Sequence, residues 1–293
     1  KQAFATVLGI VLMLFVAGMD YHIWQRLAVF GYLAAVALSV AVMLFGREIN
    51  GSKRWLALGP FSFQPSEFAK VALILFLADL VTKNVKTIGK MWTLCRIMFW
   101  ILPIVGLVGA SNLSTAIIIL GIGVILIFVA SPKYAQFALM GIAGACFMGI
   151  FLALESYRLE RLAIWRNPEK YEKGYQTLQG LYAIGSGGVF GVGIGNSVQK
   201  LGFVPEAQND MIFSIICEEL GLAGAGIIVF LFLLLIWRFF LIASGSRDLF
   251  GALIATGAMA HMMIQVILNI AVVTNTIPNT GITLPFISYG GTS

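Results

Sequence analysis

Five stretches of this chain carry no Asp, Glu, Lys or Arg: Gln2–Met19, Leu27–Gly46, Ile97–Pro132, Tyr134–Leu154 and the segment from Leu249 onward, interrupted only by His261. A helix that crosses a bilayer needs roughly 20 predominantly apolar residues. Ile97–Pro132 is too long for one crossing and predicts two, broken at Gly109-Ala110-Ser111-Asn112. Composition agrees, with 59% apolar residues, 11% charged residues and a mean hydropathy of +0.94, where a soluble domain carries about 25% charged residues. No segment shows the two-residue alternation of a membrane barrel, so the spans are helical. The 32 glycines suit closely packed membrane helices.

The predicted spans are Phe4–Met19, Leu27–Phe45, Glu67–Val81, two within Ile97–Pro132, one reaching Leu154, Met211–Phe240 and Leu249–Val273, eight in all. A polar turn, Asp20–Arg26, joins the first two. A connector runs from Gly46 through Trp55 to Gln64-Pro65-Ser66-Glu67, where Ser66 is the expected N-cap and Glu67 the acid of the first turn. Residues 155–210 form one long polar loop with amphipathic stretches at Tyr157–Trp165 and Tyr175–Ile184 and a glycine cluster, Gly185–Gly195. The chain reads as all-α, a single polytopic membrane domain over residues 1–293. Its abrupt ends, without an initial Met, read as trimmed, and no cleavable signal pattern is present.

Several function classes fall away. The net charge of +6 is dispersed, and no basic tract offers a nucleic-acid surface; lipid headgroups or an anionic lipid-linked substrate fit better. Cys95, Cys146 and Cys217 have no disulfide or metal spacing. The glycine cluster never gives a dinucleotide or P-loop fingerprint. On the spans above, the loops with Lys83–Arg96, Lys133 and Arg247, plus Arg26 and Arg238, share one side. That side holds eight basic residues against five, once the six of the long loop are set aside, and it is therefore the expected cytoplasmic side. Asp210 then faces outward. His22 and His261 lie on or inside the wrong side for an outward Ser–His–Asp arrangement, which leaves carboxylates as candidate bases.

The stretch Gly195–Gly221, GNSVQKLGFVPEAQNDMIFSIICEELG, gathers four of these acids where the polar loop runs into an apolar helix. Asp210 at that junction is an N-cap on position alone. Glu206, four residues earlier, raises its proton affinity, and the apolar wall from Met211 desolvates it; both tune it toward a general base. Glu218 and Glu219 fall two to three turns into the expected span, where an ionisable group is costly, the bland alternative being a structural pair with Lys70 or a helix end. Glu67 and Lys70, one turn apart, are either a surface ion pair worth about 0–1 kcal/mol or a device that orients the base or a phosphate. Lys53, Arg54 and Lys200 are either solvated headgroup anchors or, if they converge, a pyrophosphate clamp. His261, Gln265 and Asn269 form one polar stripe suited to interhelical hydrogen bonds.

The runs GSKRWLALG from Gly51, QPSEFAK from Gln64, GYQ from Gly174, IGSGGVFG from Ile184, PEAQND ending at Asp210, EELG from Glu218 and LPFISYGG from Leu284 together resemble the SEDS family, with its FtsW, RodA and SpoVE branches. The likeness spans nearly the whole chain in order. Asn196-Ser197 with Gln199-Lys200 looks more like the FtsW and SpoVE branches than RodA. The resemblance implies ten spans, of which the first and last lie outside the chain as given, and places the long loop outside the bacterial cytoplasmic membrane. It implies a peptidoglycan glycosyltransferase that polymerises lipid II beside a class B penicillin-binding protein and other divisome or elongasome membrane proteins. The family's loop aspartate falls on Asp210. Two departures stand out: Gln208-Asn209 replaces the usual His-Thr, and Ser111-Asn112-Leu113-Ser114 replaces an acidic pattern, so no carboxylate stands at position 112.

On this reading Asp210 takes the proton from the acceptor 4-hydroxyl and undecaprenyl pyrophosphate leaves. The remaining substrate-binding residues are Lys53, Arg54, Glu67, Lys70, Lys200, Glu206 and Glu218. Either Lys70, Lys53, Arg54 and Lys200 or a divalent cation, Mg or Mn, stabilises the leaving charge; no cofactor is otherwise called for, and no metal-ligating residues are assigned. Two rival readings are a lipid II flippase and a scaffold that recruits the transpeptidase.

Overall fold

The computed structural model describes residues 2–49, 52–58, 61–138, 141–142, 144 and 162–289. The chain divides into two compact units, Lys1–Phe137 with Trp237–Met262, and Ala138–Ile236 with Met263–Gly291.

The first unit is organised on α3 (Pro65–Asn84), whose Ala69, Leu73, Leu77, Ala78 and Val81 have no exposed surface. It carries Glu67, Lys70, Asp79 and Lys83, of which Lys70 and Asp79 are buried, as a central helix allows, and Lys83 in the last turn is exposed. Asp79 accepts from Gln25 at 2.9 Å and pairs with Lys83 at 2.6 Å. Helix α2 (His22–Phe45) packs on α3 through Tyr32, which stacks on Phe76 with ring centroids 4.3 Å apart. The Tyr32 hydroxyl donates to the Trp100 carbonyl of α4 (Met91–Ser111) at 2.7 Å. Helix α5 (Leu113–Ala130) follows α4 after one residue, Asn112, whose side chain caps α5 by accepting from the Thr115 amide at 3.2 Å. The break predicted inside Ile97–Pro132 is therefore real. Helix α1 (Gln2–Ala17) precedes them.

Five helices among the described residues are long and apolar enough to cross a membrane: α2, α4, α5, α7 (Ile212–Ser244) and α8 (Leu249–Val273). The protein is a polytopic helical membrane protein. Of the other expected spans, α1 is shorter, α3 is too charged to stand out by composition, and Tyr134–Leu154 lies largely outside the described residues.

Two sequence expectations are corrected, at Ser66 and at Met211–Phe240, and the connector after Gly46 gains a defined structure. Ser66 is not the cap of α3: Pro65 is already helical and Gln64 stands at the cap without a side-chain bond, because proline's fixed φ suits the first helical position. The connector after Gly46 is an antiparallel meander of β1 (Arg47–Ile49), β2 (Ser52–Leu58) and β3 (Phe61–Phe63), with Arg47 opposite Trp55 and Leu56 opposite Phe63. Finally, Met211–Phe240 is not one continuous helix. Gly221, at φ 66° and ψ −167°, divides α7 into a short N-terminal piece and a long apolar one; that backbone region is open essentially to glycine alone.

The second unit holds α6 (Tyr175–Gly187), most of α7, the end of α8 and the loop that follows it. Its core gathers Val204, Met211, Phe213, Ile215, Val266, Val273 and Leu284. Residues 162–166 are helical, while most of the amphipathic stretch expected from Tyr157 lies outside the described residues.

Candidate active site

Gly180, Ala183 and Gly187 lie on one face of α6, and all three are buried. A Cβ at Gly180 would strike Met211 and approach Ser214, and one at Gly187 would strike the backbone of Cys217 and Glu218. This small-residue face lets α6 lie against the first piece of α7 without an intervening side-chain layer. Gln176, one turn before Gly180, is thereby brought opposite Asp210. Its Nε2 stands 3.4 Å from both carboxylate oxygens.

Asp210 precedes the first residue of α7 by two positions and is 8% exposed. Its described contacts are with Gln176 and the backbone amides of Asp210 and Met211, not with amides further into the helix as an N-cap would make. Burial pushes its carboxyl up to about 6, and the neighbouring Glu206 carboxylate adds to the push while Gln176 and the two amides oppose it. That value is near-neutral, as a general base requires. Glu206 itself is exposed, adopts a left-handed φ of 55° and accepts from the Asn209 side chain.

The backbone around Asp210 is held by residues far along the chain. Asn269 donates to the Asp210 carbonyl at 2.8 Å, the Ser288 hydroxyl to Asn209 at 2.6 Å, and the Tyr289 amide to Gln208 at 2.7 Å. Asn269 also donates to Ile282 at 2.7 Å, and Gln265 to Thr283 at 3.1 Å. Gln265 and Asn269 of the polar stripe thus bond loop carbonyls, where interhelical bonding was expected. A Cβ added at Gly281 would lie 3.8 Å from Asp210 Oδ2, so this loop also lines the carboxylate.

The break at Gly221 explains the glycine cluster. Val192 and Gly193 donate to the freed carbonyls of Glu218 and Glu219 at 2.9 and 3.0 Å, and the amides of Leu222 and Ala223 donate to Gly188 and Val189 at 2.9 and 3.0 Å. An interrupted helix in a membrane protein needs such internal partners. Side chains at Gly191 or Gly221 would collide with the opposing backbone. Glu218 accepts from the Ser197 hydroxyl and from the Val198 amide at 3.1 Å, and Glu219 pairs with Lys200 at 2.6 Å. These acids therefore close a helix end, not the middle of a span, and Lys200 is tied to Glu219 and not simply solvated.

The sequence profile of the FtsW/RodA/SpoVE family, described as cell cycle protein, matches residues 1–293. The chain belongs to this family. It is 39% identical over 306 residues to Stage V sporulation protein E of Bacillus subtilis (strain 168), covering 100% of this chain and 82% of that protein. It is 37% identical to a probable peptidoglycan glycosyltransferase FtsW of Coxiella burnetii, covering 98% of this chain and 79% of that one. Among solved structures, a chain from a peptidoglycan synthase complex, studied for its structural coordination of polymerization and crosslinking, superposes with a TM-score of 0.86 at 29% identity, covering 99% of this chain and 83% of that one. The rod shape determining protein RodA of Thermus thermophilus superposes with a TM-score of 0.71 at 28% identity, covering 99% and 80%.

In the first unit of this FtsW/RodA/SpoVE protein, Lys70 Nζ lies 2.7 Å from Glu67, and Lys70 is 1% exposed. The surface-pair alternative is thereby excluded: a lysine so buried needs its carboxylate partner to remain charged. Arg54 donates through Nε to the Ser111 carbonyl at 2.9 Å, and Lys53 lies in β2 opposite Glu48. No three His, Cys, Asp or Glu side chains among the described residues converge as a metal would need. Gln176, Ser197, Ser288 and Tyr289 are the partners that reasoning about charge and spacing did not single out. The small face of α6, at i, i+3 and i+7, was the available signal for the first.

Proposed function

We propose that this chain polymerises lipid II at the outer face of the bacterial cytoplasmic membrane, with Asp210 as the general base. It is a peptidoglycan glycosyltransferase of the FtsW/RodA/SpoVE family. Asp210 takes the proton of the acceptor sugar's 4-hydroxyl as that oxygen bonds to the anomeric carbon of the donor's muramyl sugar. The carbon–oxygen bond to pyrophosphate breaks, and its electron pair departs on undecaprenyl pyrophosphate. A single carboxylate suffices because pyrophosphate leaves without needing a general acid. The observation that carries this reading is a buried carboxylate, braced through its own backbone and poised near pH 6. The outward orientation is supported by the distribution of basic residues between loops.

Lys70, Lys53, Arg54 and Lys200 are the groups proposed to bear on the pyrophosphate, since fixed positive charge stabilises a developing anion, with Glu67 holding Lys70 in place. A divalent Mg or Mn would be held chiefly by the pyrophosphate oxygens, with Glu206 as the exposed carboxylate beside the base, because magnesium sites on phosphates need only one or two protein carboxylates. The likeness to a chain of a synthase complex supports a crosslinking partner of the class B penicillin-binding type.

The test is glycan polymerisation from purified lipid II by the chain with its cognate transpeptidase, wild type against Asp210→Asn. Loss of polymer with the complex intact supports the base and sinks the scaffold. Undiminished polymer removes Asp210 from the chemistry, and polymer from neither protein favours the flippase.

A further inference from the structure

Three consecutive carbonyls, those of Gln208, Asn209 and Asp210, each accept a hydrogen bond from the segment between Asn269 and Tyr289. Turn carbonyls in a polar loop ordinarily face water, so three in a row bound by one distant segment form a clamp. We propose that Asn269 and Ser288 are positioning residues for the transfer reaction, fixing the two peptide planes on either side of Asp210 so that its carboxylate is held against Gln176.

The geometry is specific. The Asn209 carbonyl belongs to the peptide before Asp210 and the Asp210 carbonyl to the peptide after it. Pinning both sets the two backbone dihedrals of Asp210, and with them the direction of its Cα–Cβ bond. Only the side-chain torsions remain, and Gln176 and the Gly281 turn flank those. Asn269 has no exposed surface, and Nδ2 serves both Asp210 and Ile282, at 2.8 and 2.7 Å. One side chain thus ties the base to the loop that lines it. An aspartate there would offer no N–H to either carbonyl. Ser288 accepts from the Leu284 amide at 2.8 Å and donates to Asn209, so its hydroxyl joins the turn that carries it to the loop it clamps.

The inference rests on Asp210 being the base. Its test measures kcat, KM for lipid II and the pH profile of polymerisation in the complex with the partner transpeptidase, for Asn269→Leu, Ser288→Ala, Ser288→Thr and Asp210→Asn. Gln265→Leu serves as the matched control, because Gln265 bonds the same loop through Thr283 and, among the described hydrogen bonds, none of the three carbonyls. Asn269→Leu is expected to lower kcat by about 100-fold, the cost of a misplaced catalytic group, with KM unchanged. Its acid limb is expected to move to lower pH as water reaches the carboxylate. Ser288→Ala gives a smaller loss that Ser288→Thr restores, while Gln265→Leu keeps the wild-type acid limb. Equal losses in Asn269→Leu and Gln265→Leu with an unmoved acid limb overturn the inference, as does wild-type kcat in Asn269→Leu while Asp210→Asn is inactive. If Asn269→Leu fails to assemble, the two Ser288 variants decide, and an alanine loss that threonine does not restore overturns the proposal. An active Asp210→Asn refutes the base itself, a distinct result.

Discussion

Asp210 and Glu218 are both buried carboxylates on one short stretch, and the fold treats them in opposite ways. Glu218 takes the Ser197 hydroxyl on one oxygen and the Val198 amide on the other. Asp210 has Gln176 at the long distance of 3.4 Å from each oxygen, together with the backbone amides of Asp210 and Met211. Burial strips the Asp210 carboxylate of water, and Gln176 with the amides of Asp210 and Met211 offsets that only in part, so it holds its proton longer. Burial marks both residues. The proton affinity of Asp210, raised despite its donors, makes it the candidate base.

The largest effect that separates them is catalytic. Asp210→Asn is expected to lower polymerisation by about 10²–10⁴-fold, the usual worth of a general base, whereas Glu218→Gln leaves the pH profile of the surviving activity unchanged. A comparable collapse with a shifted profile in Glu218→Gln would break the contrast.

Stability should reverse the order. Glu218→Gln sets an amide against donors that need an acceptor and is expected to cost about 1–3 kcal/mol, read as a lower midpoint in thermal unfolding of the purified complex. Asp210→Asn is expected to stabilise at neutral pH by up to about 3 kcal/mol. The sign follows from linkage. Folded Asp210 keeps its proton up to about pH 6, while an unfolded carboxylate releases it near 4. The wild type therefore loses stability as pH rises between those values, and the gap to Asn closes below the lower one. Unfolding midpoints that do not converge in acid would contradict the buried, proton-retaining state.

The smallest effect is electrostatic. Activity should fall as pH drops through about 6, where Asp210 gains its proton. Glu206→Gln removes a neighbouring negative charge and should move that limb to lower pH. An upward movement would mean that Glu206 acts through structure and not charge.

Much of the second unit's logic was invisible in linear order. The acids of Gly195–Gly221 could be seen gathering at a loop-to-helix junction, and Glu206 could be recognised as a neighbour that raises the proton affinity of Asp210. That Glu218 and Glu219 end a helix stood among the alternatives but could not be decided, because a glycine inside an apolar run is equally at home in a continuous membrane helix. Only the positive φ of Gly221 and the backbone of Gly188–Gly193 laid against it reveal the break. The meander at Arg47–Phe63 was missed because its strands are short and lie between two apolar helices.

What the sequence determined by itself was the solvent. Long runs without charge leave a chain no stable place but a bilayer, and in a bilayer backbone groups force helices. That is a local and additive property, legible residue by residue. The tertiary structure alone decided which groups each buried carboxylate would face. The deciding donors, Ser197, Val198 and Gln176, and the clamp from Asn269, Ser288 and Tyr289, are hydroxyls, amides and main-chain groups of kinds found throughout the chain. Their meaning lies in what they face, and that is set by the packing of α6 on α7 and by the return of the C-terminal loop to Asp210.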